Sequence, residues 1–191
     1  SNVAKTILSA ISPTLNYEAG HVASLPIIMD KNNITTIRNL VKSNIRLSKD
    51  DWDAFEVSWE FKQHPLVKQS TMLRRSFEEW SIEAKDRFLS IQKNEEKINE
   101  IFITIYGLQN ELSSKVGCEE ITIRTADYQR DIKSLISYAV GCMFGRYSLD
   151  IDGLAYAGGE WDTSKYKTFP TDKDNIIPVS YTHLRAHETR S

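Results

Sequence analysis

The fold class is decided by residues 73–107, LRRSFEEWSIEAKDRFLSIQKNEEKINEIFITIYG. Apolar residues recur in this stretch at steps of three and four, and Glu95 is the interruption of the resulting seam. The seam comprises Phe77, Trp80, Ala84, Phe88, Ile91, Ile98, Phe102 and Ile105. Gly107 stands where a C′ glycine ends a helix. The spacing therefore predicts one helix of about 30 residues, which is about 45 Å long at 1.5 Å per residue.

A helix of this length needs a partner, because it cannot bury its seam in a compact domain of its own length. Another helix of the chain, a second copy and a neighbouring domain are all compatible with the sequence. Glutamates recur at the outer positions and predict that the opposite face is solvated. These are Glu78, Glu79, Glu83, Glu95, Glu96 and Glu100.

Two short helical patterns precede the long helix. Thr35 occupies the N-cap position of the first pattern. The apolar face of this helix comprises Ile37, Leu40, Val41 and Ile45. Ser48, followed three residues later by Asp51, resembles a capping box and predicts a second short helix that ends before His64.

A second apolar helix follows the long one. Thr125 occupies its N-cap position, and Gly145 marks its end. The wide apolar face between them comprises Ile132, Leu135, Ile136, Ala139, Val140, Met143 and Phe144.

The predicted fold class is mainly α, a helical spacer or bundle with short extended segments at both ends. It has one long helix at about 73–107 and a second apolar helix at about 125–144. Residues 1–30 are expected to form an extended or loop segment at the end of an upstream domain, because prolines and a glycine interrupt their apolar runs. The helical region then covers 31–148, and a turn-rich segment with room for one hairpin covers 149–178.

Charge and cysteine content limit the function classes. The 191 residues include 24 Lys and Arg against 26 Asp and Glu, which gives a net charge of -2. This balance argues against a uniformly basic nucleic-acid module, but it is compatible with a local basic face on part of a larger protein. Two cysteines do not make a disulfide framework, and no apolar run approaches the roughly 18 residues of a membrane span. A cytoplasmic protein without a membrane partner is expected.

Both ends of the chain look arbitrary. Residues 1–4, SNVA, lack an initiator methionine and resemble a tag scar or a boundary. Residues 179–191, VSYTHLRAHETRS, resemble one reading frame of a sequencing adapter translated as protein. His183 and His187 in this tail lack the further ligands of a zinc site, so no metal site is expected there. We expect an internal fragment of a longer protein with a non-native tail.

The sequence contains no catalytic constellation. Phosphate-binding glycine loops, a nucleophile elbow and a Cys-x-x-Cys motif are absent, so no catalytic, cofactor-binding or metal residue is assigned. Cys142 lies on an apolar helix face and is expected to be a buried structural thiol. The helix macrodipole accounts for Asp50, Asp51 and Asp53 at a predicted helix start. Packing in the core or between domains is expected for Trp52, Trp59 and Trp80.

Basic residues give the one functional signal that remains. Three recur at every fourth position of one helix, two begin the long helix, and three surround the second N-cap, where backbone amides add to the attraction for phosphate. The DNA-contact candidates are Arg38, Lys42, Arg46, Arg74, Arg75, Arg124, Arg130 and Lys133. The alternative, that each is a solvated charge paired with a nearby carboxylate, stays open.

Long stretches of the chain resemble one protein family. They are 123–134, IRTADYQRDIKS, then 137–150, SYAVGCMFGRYSLD, and 153–162, GLAYAGGEWD. Segments 13–26, 51–56 and 94–108 extend the match upstream. From about residue 10 to 178, the chain resembles the adenine-specific DNA methyltransferases of BREX phage-defence systems, which are related to type IIG restriction-modification enzymes. The resembling region lies downstream of the catalytic motifs.

The resemblance implies an intact parent that transfers a methyl group from S-adenosylmethionine to N6 of adenine in a short DNA site. This chain has neither the Asn-Pro-Pro-Tyr-type motif nor a cofactor-binding glycine loop, so the fragment is predicted to be inactive and to hold no cofactor. It is expected to link the catalytic and DNA-recognition parts. The implied partners are double-stranded DNA and the catalytic domain of the same chain, with other BREX proteins as further candidates.

A second hypothesis comes from a different class of protein. The chain is then a helical protein–protein interaction module that docks through the seam of its long helix. A free-standing enzyme has no group of residues to support it.

Overall fold

The structure is a computed structural model that describes residues 1–12, 16–67 and 72–171. Within them the chain forms five α-helices and no strand. The helices are α1 (Asn2–Ile11), α2 (Ala19–Ala23), α3 (Ile34–Trp52), α4 (Leu73–Tyr106) and α5 (Tyr128–Met143). Two 3₁₀ turns cover Cys118–Glu120 and Thr163–Lys165. The predicted mainly α fold class is confirmed.

The described residues form two compact units, each built from two separate stretches of chain. The first unit combines residues 1–52 with 72–127 and contains α1 to α4. The second combines the described residues between 53 and 71 with those from 128 onward and contains α5. The division predicted from the sequence consists of consecutive segments instead. Periodicity depends on residues that are close along the chain, so it does not predict that separate stretches combine in one unit.

The long helix α4 is the scaffold of the first unit. It runs from Leu73 to Tyr106, as predicted, and both α1 and α3 pack against it. Trp80, in the N-terminal half of its seam, is 2% exposed, and Ala84 is fully buried. Other residues of the chain therefore cover this part of the seam.

Towards its C-terminus, α4 is buried on both sides of the predicted seam rather than along it. The buried residues there are Asn99, Ile101 and Ile103. Ile98 and Phe102, which belong to the predicted seam, are only half-buried. The side-chain oxygen of Asn99 accepts a hydrogen bond from the backbone N–H of Asn2 at 2.8 Å. Because a buried amide needs such partners, this contact favours the burial of Asn99.

Gly107 ends α4 as the sequence predicts. Its φ of 69° is left-handed. The N–H of Gly107 donates to the carbonyl of Thr104 at 3.2 Å, and the N–H of Leu108 donates to the carbonyl of Ile103 at 2.9 Å. These two bonds form a Schellman motif, which satisfies the last carbonyls of the helix.

Replacing Gly107 with alanine is expected to lower the free energy of unfolding by about 1–2 kcal/mol, the cost of a left-handed residue with a Cβ. No atom lies within 4 Å of the new Cβ, so the cost comes from the backbone alone. Gly20→Ala is the matched control, because its site is equally open and its φ is ordinary. Urea denaturation should leave the control unchanged or slightly stabilised. Equal destabilisation of both variants would contradict the left-handed cap.

The α3 helix corrects the prediction of two short helices. It is continuous from Ile34 to Trp52, so Thr35 and Ser48 both lie inside it and cap nothing. No helix-breaking residue separates the two predicted pieces, and a serine is tolerated in a helix interior at small cost. The residues after Trp52 run through turns up to residue 60.

The tryptophans of this region do not share one role. Trp80 packs in the core as expected, whereas Trp52 is 53% exposed and Trp59 is 101% exposed. The expectation of core packing is therefore wrong for Trp52 and Trp59, whereas packing between domains stays a prediction for both. Their helical spacing is interrupted after residue 52, so no common helix face carries them into the core.

The N-terminal segment also differs from its prediction. Residues expected to be extended instead form α1 and α2, and Val3 of α1 is buried. The hydroxyl oxygen of Ser1 accepts the backbone N–H of Ala4 at 3.5 Å and caps α1. The prediction rested in part on Pro13, which lies outside the described residues and after the last residue of α1, Ile11.

The α5 helix begins at Tyr128, so Thr125 lies before it and is not its N-cap. Asp127, which immediately precedes the helix, is an equally favourable capping residue type. Gly145 has a left-handed φ of 77° just beyond the helix, as expected. In place of a hairpin, the described residues beyond α5 contain turns and one isolated antiparallel bridge between Tyr147 and Leu154.

Candidate functional site

The first candidate surface is the basic stripe of α3, defined by Arg38, Lys42 and Arg46. All three side chains are exposed, and none has an acidic partner within the part of the chain that the structure describes. They recur every four residues, or about 6 Å along the helix axis, and span about 12 Å. A row of unpaired cations on a rigid helix can follow the phosphates of a nucleic-acid backbone.

Arg74 and Arg75 begin α4 in the same unit. Their Nε atoms lie 3.3 Å from Glu78 Oε1 and 3.2 Å from Glu79 Oε1, in two exposed pairs. Such pairs contribute about 0.3–0.5 kcal/mol, so a phosphate can displace either carboxylate. Arg74 lies about 20 Å along α4 from Arg87, the residue that contacts the end of α3. The fold therefore does not bring these two arginines to the basic stripe.

A buried carboxylate fixes the end of α3. Asp51 is 6% exposed. Its Oδ1 accepts a hydrogen bond from Arg87 at 3.5 Å, and its Oδ2 accepts one from the backbone N–H of Arg124 at 3.3 Å. The guanidinium of Arg87 also lies 5.4 Å from the ring of Trp80. The macrodipole explanation of Asp51 is wrong, because an acid in the last turn of a helix is disfavoured by the dipole.

Arg124 does not form the phosphate site expected at a helix N-terminus. Its side chain is exposed, but its backbone N–H is engaged by Asp51. The next helix begins four residues later at Tyr128, so Arg124 and Thr125 are not accompanied by helical amides. Arg124 stays a candidate through its side chain alone.

Loss of either partner of the Asp51–Arg87 pair is expected to lower the free energy of unfolding by about 3 kcal/mol, because the other charge is left buried. Urea denaturation of Asp51→Leu, Arg87→Met and the double variant tests this. The double variant should lose clearly less than the sum of the single losses. Arg75→Met is the matched control, and as a member of an exposed pair it should change stability by about 0.5 kcal/mol or less. Strict additivity of the two single effects would show that the pair does not form.

Arg130 and Lys133 belong to α5, in the second unit. Arg130 Nε donates to Oδ1 of the buried Asp131 at 2.7 Å, and the guanidinium lies 5.6 Å from the ring of Phe55. Arg130 is therefore engaged in packing, and a phosphate would have to compete with a buried carboxylate. Lys133 is exposed, and no described residue pairs with it.

An aromatic cluster forms the core of the second unit. Tyr138 and Tyr147 stack with ring centroids 5.1 Å apart, and Phe61 meets both rings edge-on at 5.8 and 5.4 Å. Cys142 is buried in the same cluster. Burial raises the pKa of the Cys142 thiol, which opposes thiolate formation. The prediction of a buried structural thiol is confirmed.

His64 is a buried titratable residue that the sequence did not reveal. It is 1% exposed, and its Nδ1 accepts the backbone N–H of Leu66 at 3.2 Å. The neutral ring therefore carries its proton on Nε2, which has no hydrogen-bond partner among the described residues. Burial lowers the pKa of His64 to about 4, and the negative charge of Asp131 offsets this only in part.

The stability of the second unit is expected to fall as the pH drops from about 6.5 towards 4. The unfolded chain binds a proton at His64 with a pKa near 6.5, whereas the folded chain resists it down to about 4. The loss at lower pH approaches about 3 kcal/mol. His64→Asn keeps an acceptor near the Leu66 N–H but does not titrate. Urea midpoints of both proteins between pH 4 and 7.5 should diverge in this window, and parallel profiles would contradict the assignment.

The second unit also contains a half-open cavity of about 280 Å³. Trp59 and Leu154, both exposed, lie among its lining residues. Glu56 lines it too, and its Oε1 is shielded from solvent without a hydrogen-bond partner in the described chain. The cavity can accept a hydrogen-bond donor, but it brings together no nucleophile and base.

A larger open groove of about 900 Å³ lies in the first unit. We call it the α1–α3 groove, because residues of α1 and α3 line it above α4. Ile37, Val41 and Ile45 of α3 form an apolar wall, and Ile98 and Phe102 of α4 lie opposite them. The apolar face predicted for α3 is thus directed largely into this groove.

Sequence reasoning missed the features that depend on distant contacts. No local signal marks Asp51 as the partner of Arg87, or His64 as a buried neutral imidazole. The exposure of Trp59 is equally hidden, because its spacing from its neighbours matches that of a helix. The stripe on α3 was accessible to sequence reasoning, since it depends only on a four-residue repeat.

Metal and membrane features can be assessed for the described residues. Over that part of the chain, no group of three or more His, Cys, Asp or Glu side chains is arranged to hold a metal ion. His183, His187 and the rest of 179–191 lie outside the described residues. Among the helices given above, none is long and apolar enough to cross a membrane.

Comparison with known proteins shows what this region resembles. No family model matches the chain. It is 43% identical over 183 residues to the adenine-specific methyltransferase PglX of Lacticaseibacillus casei (strain Zhang), which covers 93% of this chain and 15% of that protein. The chain is similar to one segment of an adenine-specific methyltransferase. It is also 35% identical over 198 residues to the adenine-specific methyltransferase BrxX of Escherichia coli O9:H4 (strain HS), which covers 90% of this chain and 16% of that protein.

The resemblance inferred from the sequence is confirmed by these matches. The chain spans about 15% of the length of PglX and about 16% of that of BrxX. Since 93% of the chain aligns with PglX, the similarity includes residues of both units. The eight basic residues stay predictions as DNA contacts.

Proposed function

We propose that the chain is the non-catalytic helical portion of a site-specific adenine-N6 DNA methyltransferase and links its catalytic part to its DNA-recognition part. The observation that carries the proposal is the similarity of nearly the whole chain to a 15% segment of PglX. The parent protein works in the cytoplasm, uses S-adenosylmethionine and acts on double-stranded DNA. The present portion holds no methyl donor. Its partners are the catalytic domain, DNA and other proteins of the same defence system.

The basic stripe of α3 is the proposed DNA contact of this portion. Its three cations are unpaired among the described residues, whereas Arg74 and Arg75 must first release a glutamate and Arg130 is packed against Phe55. Asp51 and Arg87 anchor α3 to α4, so the stripe is held on a rigid element. Rigid positioning favours binding because less side-chain and backbone entropy is lost.

Replacing Arg38, Lys42 and Arg46 together with glutamine is expected to weaken duplex binding by the full chain. The negative slope of the logarithm of the binding constant against the logarithm of salt concentration should become shallower by about 3, or about 0.9 for each lost phosphate contact. Fluorescence anisotropy with a 20-base-pair duplex between 50 and 200 mM salt measures both effects. The matched control replaces three lysines of α4 with glutamine and so removes the same charge. These are Lys85, Lys93 and Lys97.

Comparison of the two triple variants distinguishes DNA binding at the α3 stripe from attraction by the overall positive charge. An equal loss of binding in both would contradict a role for the α3 stripe. Far-UV circular dichroism should show unchanged helix content, because every replaced side chain is exposed.

Isothermal titration of the chain with S-adenosylmethionine should give no binding heat, and micromolar affinity would overturn the non-catalytic assignment.

The rival proposal, a module that docks through the seam of α4, receives less support. Trp80 and Ala84 of the seam are already buried in this chain. A partner would have to displace other residues of this chain to reach them. Only Ile98 and Phe102 leave part of the seam open, and these belong to the α1–α3 groove.

A further inference from the structure

The α1–α3 groove has an apolar lining that nothing in the described chain covers. Val41 is 40% exposed and Ile45 is 63% exposed, although both belong to the apolar face of α3. Ile98 and Phe102 continue the same lining on α4. Contiguous apolar surface of this kind marks a binding groove, since leaving it in water is unfavourable.

One unpaired carboxylate interrupts this apolar lining. Glu95 lines the groove three residues before Ile98 and is half-buried. Burial raises the pKa of Glu95, the N-terminal ammonium of Ser1 lowers it in part, and the charge of Glu120 raises it further. No lysine or arginine of the described chain pairs with Glu95. The side-chain cation that lines the groove, Lys5, is already bound to Glu120 at 2.8 Å, and the lining also includes Ser1 with its N-terminal ammonium. A cation brought by an occupant would therefore meet an unpaired acceptor.

The dimensions of the groove fit a helix. Its α3 wall extends from Ile37 to Ser48, which is about 16 Å or three helical turns. Helices that dock in apolar grooves insert residues spaced three and four apart, which matches a wall whose own residues recur at every fourth position. Successive residues of a helix are about 100° apart, so the basic stripe is directed away from the apolar wall and stays open to DNA when the groove is filled.

We infer that the α1–α3 groove binds an amphipathic helix of about three turns, which carries a lysine or arginine opposite Glu95 and comes from a neighbouring part of the longer methyltransferase. The chain covers only 15% of the length of PglX, so most of a protein of that size lies outside it and can supply this helix. The inference rests on the proposed function only in treating the chain as part of such a longer protein.

Photocrosslinking in the full-length methyltransferase tests the identity of the occupant. The photoreactive residue benzoylphenylalanine replaces Ile45 in the groove wall and, as a matched control, Asn39 on the exposed side of α3. After irradiation, mass spectrometry should map the Ile45 crosslink to an amphipathic segment of the same polypeptide, outside the present chain, with a lysine or arginine on its apolar face. The Asn39 probe should not reach that segment. A product of twice the mass, which indicates a second copy, or no crosslink at Ile45 would overturn the inference.

A charge substitution tests the role of Glu95. With the Ile45 probe in place, Glu95→Lys should reduce the crosslink yield about tenfold, because like charges would then meet in the groove. Glu95→Gln, which keeps the shape, should give an intermediate loss. Asp86→Lys, on an exposed position of α4 away from the groove lining, is the control and should leave the yield unchanged. An unchanged yield in both Glu95 variants would refute the charge pairing. This readout requires neither DNA binding nor methyl transfer, so it fails or succeeds independently of the proposed function.

Discussion

The first unit depends on the buried carboxylate of Asp51. A carboxylate removed from water is tolerated only when hydrogen bonds and an opposite charge replace its hydration. Its two identified partners are 36 and 73 residues away in the sequence. By binding Arg87 and the backbone of Arg124 together, Asp51 fixes the position of α3 on α4 and that of the segment before α5. Leu47, one turn earlier on α3, packs against the apolar cluster beside it.

This fixed position gives α3 three distinct surfaces. One contributes Leu47 to the core, a second presents Ile37, Val41 and Ile45 to the α1–α3 groove, and the third carries the basic stripe. In an isolated domain, an apolar wall left in water would not contribute to the stability of α3. The combination suits the two proposals made above, a helix docked in the groove and DNA bound at the basic stripe. Both proposals depend on the orientation of this one helix.

The second unit is organised around an aromatic core. Its core joins stacked tyrosines to a neutral histidine and a protonated thiol. Gly145 shows how closely this unit is packed, because a Cβ there would lie 2.3 Å from the ring of Trp161. The sequence marks Gly145 only as a helix end. Its second role, leaving space for an aromatic ring, depends on residues 16 positions further along the chain.

The sequence by itself determined the mainly α class, the extent of α4 and its end at Gly107. These features depend on a period of 3.6 residues and on the left-handed backbone at one position, both of which are local. It also determined the resemblance to adenine-specific methyltransferases and the four-residue repeat of basic residues on α3. Local signals failed where two interpretations were equally good, as with Ser48, which fits a helix interior as well as a cap.

Only the tertiary structure decided which local signals mattered. It joined two predicted helices into α3, turned Asn99 rather than Ile98 inward, buried His64 and exposed Trp59. It also distinguished the unpaired cations of the α3 stripe from Arg130, which is engaged by Asp131 and Phe55. The physical reason is the same in each case: burial and charge pairing depend on groups that are far apart in the sequence, and periodicity carries no information about them.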